Sequence, residues 1–256
     1  MHSSQIGGVT MAFRFAVLGL CLWLSAAPAA RAAGVRLEHT QVDGVARTYA
    51  LYAPQTANPK GAPLLVLLHG SGGNGTGIAE LWRDKADKEG IVLLAPDARH
   101  NDAWRLKQDA PGILHALIDE VGAKYMIDGR RIYLFGQSGG AVYSLMLAML
   151  ESPYFAAVAV HAGSWRYPEE FKAIGFAQRK IPLAIVIGDQ DAYCTIASVR
   201  RTEDALKAAG FPVQVTVIAG QHHGFNAGNA PEIENDAWAF LSAHALIGAP
   251  AFVIYR

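Results

Sequence analysis

The chain has 256 residues, 52% of them hydrophobic and only 17% charged, which is the balance of a protein with a substantial buried core and excludes a disordered chain. Its 22 basic and 22 acidic residues cancel, and no basic run stands out, so neither a nucleic acid nor an anionic membrane surface is an expected partner. Small or polymeric uncharged molecules fit better.

The elements begin with a segment that is not part of the fold. Arg14 precedes an apolar stretch from Phe15 to Leu24, and small residues follow from Ser25 to Ala33, including Ala30-Arg31-Ala32. This is the pattern of a cleaved export signal over residues 1–32, with the mature protein, a single catalytic domain, running over 33–256. The apolar stretch is too short to span a bilayer comfortably, so no stable membrane insertion is expected after cleavage, and the protein is expected to be secreted or periplasmic. The charged part of the signal starts only after Met11, so the first ten residues read as an extended leader or an over-long start. Cys21 follows Leu20 and lacks the small neighbour a lipid-accepting cysteine needs. Cys194 is then the sole cysteine of the mature chain, which leaves no intramolecular disulfide, and it reads as a small buried or loop residue.

Val45–Tyr52 alternates loosely and ends at Pro54, as an early strand at a sheet edge would. Short, mostly unbroken apolar runs then recur at Leu64–Leu68, Ile91–Ala95, Ile132–Phe135, Ala156–Val160, Leu183–Ile187 and Val213–Ala219. Such runs predict strands buried on both faces. Between them the spacing predicts helices over Ile78–Lys88, Ala110–Tyr125, Ala141–Leu150, Ser198–Ala209 and Ile233–Ala245. Alternating strands and helices predict an α/β domain with a mostly parallel sheet and helices on both faces. Any lid must be small, and residues 165–180 are the best place for one.

Gly136-Gln137-Ser138-Gly139-Gly140 fits G-x-S-x-G directly after a predicted strand and before a predicted helix. A serine on so sharp a turn needs small neighbours, which makes Ser138 the candidate nucleophile. Its hydroxyl needs a base and an acid to orient that base, expected on loops after later strands. Gly188-Asp189-Gln190-Asp191 and Gly220-Gln221-His222-His223-Gly224-Phe225 supply them in the right order. Asp191 is preferred over Asp189 because it lies farther into its loop, where Asp189 suits a turn-capping role. His223 is preferred over His222 because Gly224 frees the backbone to turn its ring inward. A metal site at the His pair is not expected, since adjacent side chains rarely converge on one ion.

Developing negative charge on the substrate oxygen needs backbone N–H donors, for which Gly139 and Ser71, in the loop His69-Gly70-Ser71-Gly72-Gly73-Asn74-Gly75, are the candidates. His69 reads as a brace for that loop. The loop reads as having neither a G-K-[ST] lysine nor G-x-G-x-x-G spacing, and no nucleotide or other cofactor is expected. Trp82, Trp104 and Trp165 could line a substrate groove, although a tryptophan is more often core or scaffold; Trp104 and Trp165 are the better groove candidates because they fall in loops after strand ends.

Taken together, the His69-Gly70 loop, the elbow, the late Asp and the late His-Gly-Phe resemble the α/β-hydrolase superfamily over about 45–245. Residues 47–54, 67–70 and 127–133 look like the secreted polyhydroxybutyrate depolymerase and feruloyl esterase group. That resemblance implies a serine carboxylic ester hydrolase with Asp191 three residues after a strand-end Gly and His223 two before an aromatic. It also marks departures: the group often has Thr or Cys in the loop after His-Gly and commonly Ala at the fourth elbow position, where this chain has Ser71 and Gly139. Serine peptidase or dienelactone-type chemistry would use the same triad, and an inactive binding protein would keep the fold alone.

Overall fold

In the computed structural model, which describes residues 34–252, the apolar runs form one eight-stranded sheet in the order β1-β2-β4-β3-β5-β6-β7-β8. The strands are β1 (Arg36–Val42), β2 (Val45–Tyr52), β3 (Ala62–Leu68), β4 (Val92–Pro96), β5 (Ile127–Gln137), β6 (Val158–His161), β7 (Leu183–Gly188) and β8 (Val213–Ile218). β1 and β2 pair antiparallel, as do β2 and β4, and every pairing from β4 through β8 is parallel. This is the α/β-hydrolase architecture. The proposed export signal lies outside the described residues.

Strand alternation divides the core into two layers. Leu64, Val66 and Leu68 of β3 point to one face, with Leu134 of β5 and Ile185 of β7. Leu65 and Leu67 point to the other, with Phe135 and Val186. The first face is covered by α2 (Pro111–Lys124), α3 (Gly139–Leu150) and α5 (Ile196–Ala208), through residues such as Leu117, Leu145 and Leu206. The second is covered by α1 (Gly75–Glu89) and α6 (Ala230–Ser242), through Ile78, Trp82, Ile233 and Trp238. Trp82 is fully buried. Among the described residues, no helix is long and apolar enough to cross a membrane.

Two expectations need correction. β2 is not an edge strand, because β1 pairs along it from Arg36↔Leu51 to Val42↔Val45. β1 was missed because it is largely polar and half exposed, so it lacks an apolar run. β8 is not buried on both faces: it closes the far edge, and Gln214 and Val217 are exposed. The segment between β6 and β7 makes only α4 (Pro168–Phe171) and a 3₁₀ turn (Lys172–Phe176), as the expectation of a small excursion requires.

The topology fixes where a site can form. The connection after β3 runs through α1 on one face to β4, while β5 lies on β3's other side and leads into α3 on the opposite face. The chain therefore diverges between β3 and β5, and the loops after both strands meet at the carboxyl end of the sheet.

Candidate active site

Ser138 stands between β5 and α3 with φ 53 and ψ −114, in the left-handed half of backbone space that a non-glycine residue enters at a cost of roughly 1–3 kcal/mol. Packing on both sides holds it there. A β-carbon on Gly136 would strike the Ser144 hydroxyl and the Gly140 carbonyl, and one on Gly140 would strike the Leu68 and His69 carbonyl oxygens. The Ser138 amide donates to the His161 carbonyl at 3.0 Å, tying the elbow to the end of β6. The turn is thus closed against its neighbours, with Ser138 itself left half-buried.

The Ser138 hydroxyl lies 2.8 Å from His223 Nε2, and His223 Nδ1 lies 2.8 Å from Asp191 Oδ2. The Asp191 side chain has no solvent exposure, whereas that of His223 has 25%. The other carboxylate oxygen, Oδ1, accepts the amides of Tyr193 and Cys194, each at 2.8 Å. An ionised carboxylate only accepts, so His223 donates through Nδ1 and its Nε2 lone pair faces the serine hydroxyl.

The other member of each pair is occupied elsewhere. Asp189 Oδ1 accepts the Gly220 amide at 2.7 Å, bridging the two loops. His222 is exposed, with Nδ1 3.2 Å from the Gln190 carbonyl. The structure thus brings Asp191 and His223 to the serine and leaves Asp189 and His222 outside. The loops themselves are seated by Gly188, where a β-carbon would strike the Gln221 carbonyl.

Ser71 and Gly139 both line a cleft of about 330 Å³ that also contains Ser138 and His223. The Ser71 amide nitrogen lies 3.5 Å from where a β-carbon would stand on Gly139. Gly139 opens α3, where an N–H has no intrahelical acceptor. The loop carrying Ser71 is braced from behind. The Gly72 amide donates to Asn101 O at 2.6 Å, and Trp104 Nε1 donates to His69 O at 2.9 Å. Buried His69 accepts the Ala98 amide on Nε2 at 3.1 Å and so donates from Nδ1 to Gly70 O at 2.8 Å.

The tryptophan expectation fails. Trp165 is fully buried and packs edge-on against Phe171 in the core. Trp104 stacks on Tyr143, tilts against His69 and packs against the core instead of lining the cleft. Cleft positions fall instead on residues that sequence reasoning passed over, chiefly Val142, Arg166, Tyr167, Glu170 and Tyr193. Tyr167 and Tyr193 are 65% and 73% exposed, and the Tyr193 ring sits 5.2 Å from that of His223. Glu170 accepts the amides of Arg166 and Tyr167, and the Arg166 guanidinium donates to the Tyr193 carbonyl, so the rim is joined across the cleft. The missed signal was position: Trp165 points inward, so Arg166 and Tyr167 after it face out.

His161 was also missed. It lies at the end of β6, fully buried, with its ring 5.7 Å from Phe225. Burial, reinforced by nearby His223, pushes it down to about 4, so the ring is neutral. Burial likewise raises the Cys194 thiol, which is fully enclosed and sits 3.3 Å from Ser164 Oγ.

Glycines 70, 72 and 75 do carry G-x-G-x-x-G spacing between β3 and α1, which corrects the expectation that the loop lacks it. The place an anion would occupy is already filled, because Asp97 Oδ1 accepts the Gly75 amide at 2.7 Å and a β-carbon there would strike the Ala95 carbonyl. Among the described residues, no group of three or more His, Cys, Asp or Glu is placed to hold a metal ion.

Residues 47–202 match the family described as Esterase PHB depolymerase. A poly(3-hydroxybutyrate) depolymerase of Ralstonia pickettii is 31% identical over 133 residues, 43% of this chain and 27% of that protein. A bifunctional acetylxylan esterase/xylanase of Neocallimastix patriciarum is 30% identical over 159 residues, 60% of this chain and 23% of that protein. The chain thus spans about a quarter of the length of these relatives. Among solved structures, a thermostable esterase superposes with a TM-score of 0.64 at 23% identity, covering 82% of this chain and 63% of that one. Thermogutta terrifontis esterase 2 superposes with a TM-score of 0.62 at 17% identity, covering 82% and 95%. At these identities the superpositions speak for the fold.

Proposed function

Because the chain belongs to the Esterase PHB depolymerase family, we propose that it is a serine hydrolase that cleaves carboxylic esters through an acyl-enzyme on Ser138. The observation that carries this reading is the relay of two 2.8 Å contacts from Ser138 through His223 to buried Asp191.

In the proposed reaction the Ser138 oxygen attacks the ester carbonyl carbon as its proton passes to His223 Nε2. Asp191 holds the ring in the required tautomer and stabilises the imidazolium that forms. Negative charge developing on the carbonyl oxygen is met by the amides of Gly139 and Ser71; one such donor is worth roughly 3 to 4 kcal/mol in comparable sites. The tetrahedral adduct collapses, the C–O bond breaks, and the leaving alkoxide takes the proton from His223. Water then attacks the acyl-enzyme while His223 accepts its proton, and a second collapse releases the acid and restores Ser138. No cofactor enters these steps.

A polyester or aromatic ester is the proposed substrate type. The open cleft with exposed Tyr167 and Tyr193 at its rim supports it, since such rings offer flat apolar surface to an acyl chain or an aryl group. Export through the proposed signal over 1–32 would bring the mature domain, 33–256, to such substrates outside the cytoplasm.

A panel of esters, amides and lactones matched in acyl group tests the reading. Ester turnover should exceed amide turnover by orders of magnitude and vanish in Ser138→Ala. Faster amide turnover would make the chain a peptidase, and faster lactone turnover a dienelactone-type hydrolase. Ligand binding without turnover of any substrate would make it a binding protein on this fold.

A further inference from the structure

Glycine at position 139 has no backbone reason to be there. It opens α3, and it is absent from the residues with positive φ, so alanine would fit the backbone and favour the helix. What a side chain there would displace is the Ser71 hydroxyl. A β-carbon on residue 139 would lie 2.6 Å from Ser71 Oγ, closer than to the Ser71 nitrogen at 3.5 Å or its β-carbon at 3.8 Å. The Ser71 hydroxyl is therefore turned toward the elbow, into space left open by the missing side chain.

We propose that the Ser71 hydroxyl is a third donor to the oxyanion, beside the amides of Gly139 and of Ser71 itself, and that glycine at 139 makes room for it. This rests on the acyl transfer proposed at Ser138. An O–H donor to a developing O⁻ makes a charge-assisted bond, stronger than one to a neutral carbonyl, so its contribution is largest in the transition state. Ser71 lines the same cleft as Ser138. Its loop backbone is held by the bonds of Gly72 to Asn101, Gly73 to Gly70 and Trp104 to His69, so the Ser71 β-carbon that carries the hydroxyl is placed beside the elbow before substrate arrives. Ser71 and Gly139 thus form one device.

The test is a cycle of Ser71→Ala, Gly139→Ala and the double variant, with Ser71→Thr as the variant that keeps a hydroxyl. For each, kcat and KM for an ester are measured, together with inhibition by a boronic acid, which forms a tetrahedral adduct on the serine. We expect Ser71→Ala to lower kcat about 10- to 100-fold, with KM within threefold, and to weaken the boronic acid by a similar factor. Gly139→Ala should cost as much in the parent but little in the Ser71→Ala background, and Ser71→Thr should recover most of the loss. Ser71→Ala within twofold of the parent in kcat overturns the proposal, as does strict additivity of the two alanine substitutions. Fluorophosphonate labelling of the parent separates the failures. Label on Ser138 with a fully active Ser71→Ala overturns this inference alone; no label on Ser138 overturns the ester-hydrolase reading with it.

Discussion

The Asp191 carboxylate, fully enclosed, divides its oxygens between two tasks: Oδ1 is held by the Tyr193 and Cys194 amides, and Oδ2 meets His223 Nδ1 at 2.8 Å. The first pair fixes the carboxylate so that the second contact fixes the imidazole. Asp191→Asn should keep the fold but favour the wrong histidine tautomer, lowering kcat by roughly 10⁴. Asp189→Asn, whose parent carboxylate accepts the Gly220 amide, should lower it by less than about tenfold. Steady-state kinetics on the two purified variants checks the order, and a reversed order refutes the assignment.

The paired histidines give a parallel contrast. His223→Ala removes the group 2.8 Å from the Ser138 hydroxyl and should abolish measurable ester turnover. His222→Ala, at an exposed position bonded to a backbone carbonyl, should stay within about threefold of the parent. Rates on one activated ester under saturating conditions decide it.

Gly188 links fold to site. Its missing β-carbon lets the loop bearing Asp191 lie against the Gln221 carbonyl, two residues before His223. Gly188→Ala forces these loops apart. It should destabilise by about 1–3 kcal/mol through overpacking and lower kcat by more than its effect on KM. Chemical denaturation and kinetics on the same preparation read both effects.

Two buried groups should tilt stability with pH in opposite directions. Neutral His161 is pushed down to about 4, so unfolding takes up a proton between pH 4 and 6.5, and stability is lost as pH falls through that window. Glu234 is pushed up to about 7 by burial, so unfolding releases a proton between pH 4.5 and 7, and stability is lost as pH rises through that window. The two largely cancel between pH 4.5 and 6.5. Denaturation of His161→Phe across pH 4 to 8 should show stability falling with rising pH, and Glu234→Gln should show it rising. Each slope amounts to about 2–4 kcal/mol at most over its window; parallel profiles for both variants and the parent would contradict the account.

The central strands were legible in the sequence because burial on both faces writes itself as an unbroken apolar run, as in Leu64–Leu68 and Leu183–Ile187. That Ser138, Asp191 and His223 come together was legible because their loops follow the apolar runs of β5, β7 and β8 at one end of the sheet. What the sequence hid depends on three dimensions. β1 is an edge strand with four polar residues in succession, Glu38 to Gln41, and pairing with β2, not composition, makes it a strand. Trp165 and Arg166 are neighbours in the chain but face opposite ways, so only the packed structure separates a core ring from a cleft residue. His161 has no motif at all; it is identified by lying under the triad at the end of β6.

The most direct measurement of the central claim is the intact mass and peptide map of the protein after treatment with a fluorophosphonate probe. The account predicts a single adduct on Ser138, lost in Ser138→Ala and slowed severely in His223→Ala. An adduct on any other residue, or none on a folded and otherwise intact chain, would contradict it.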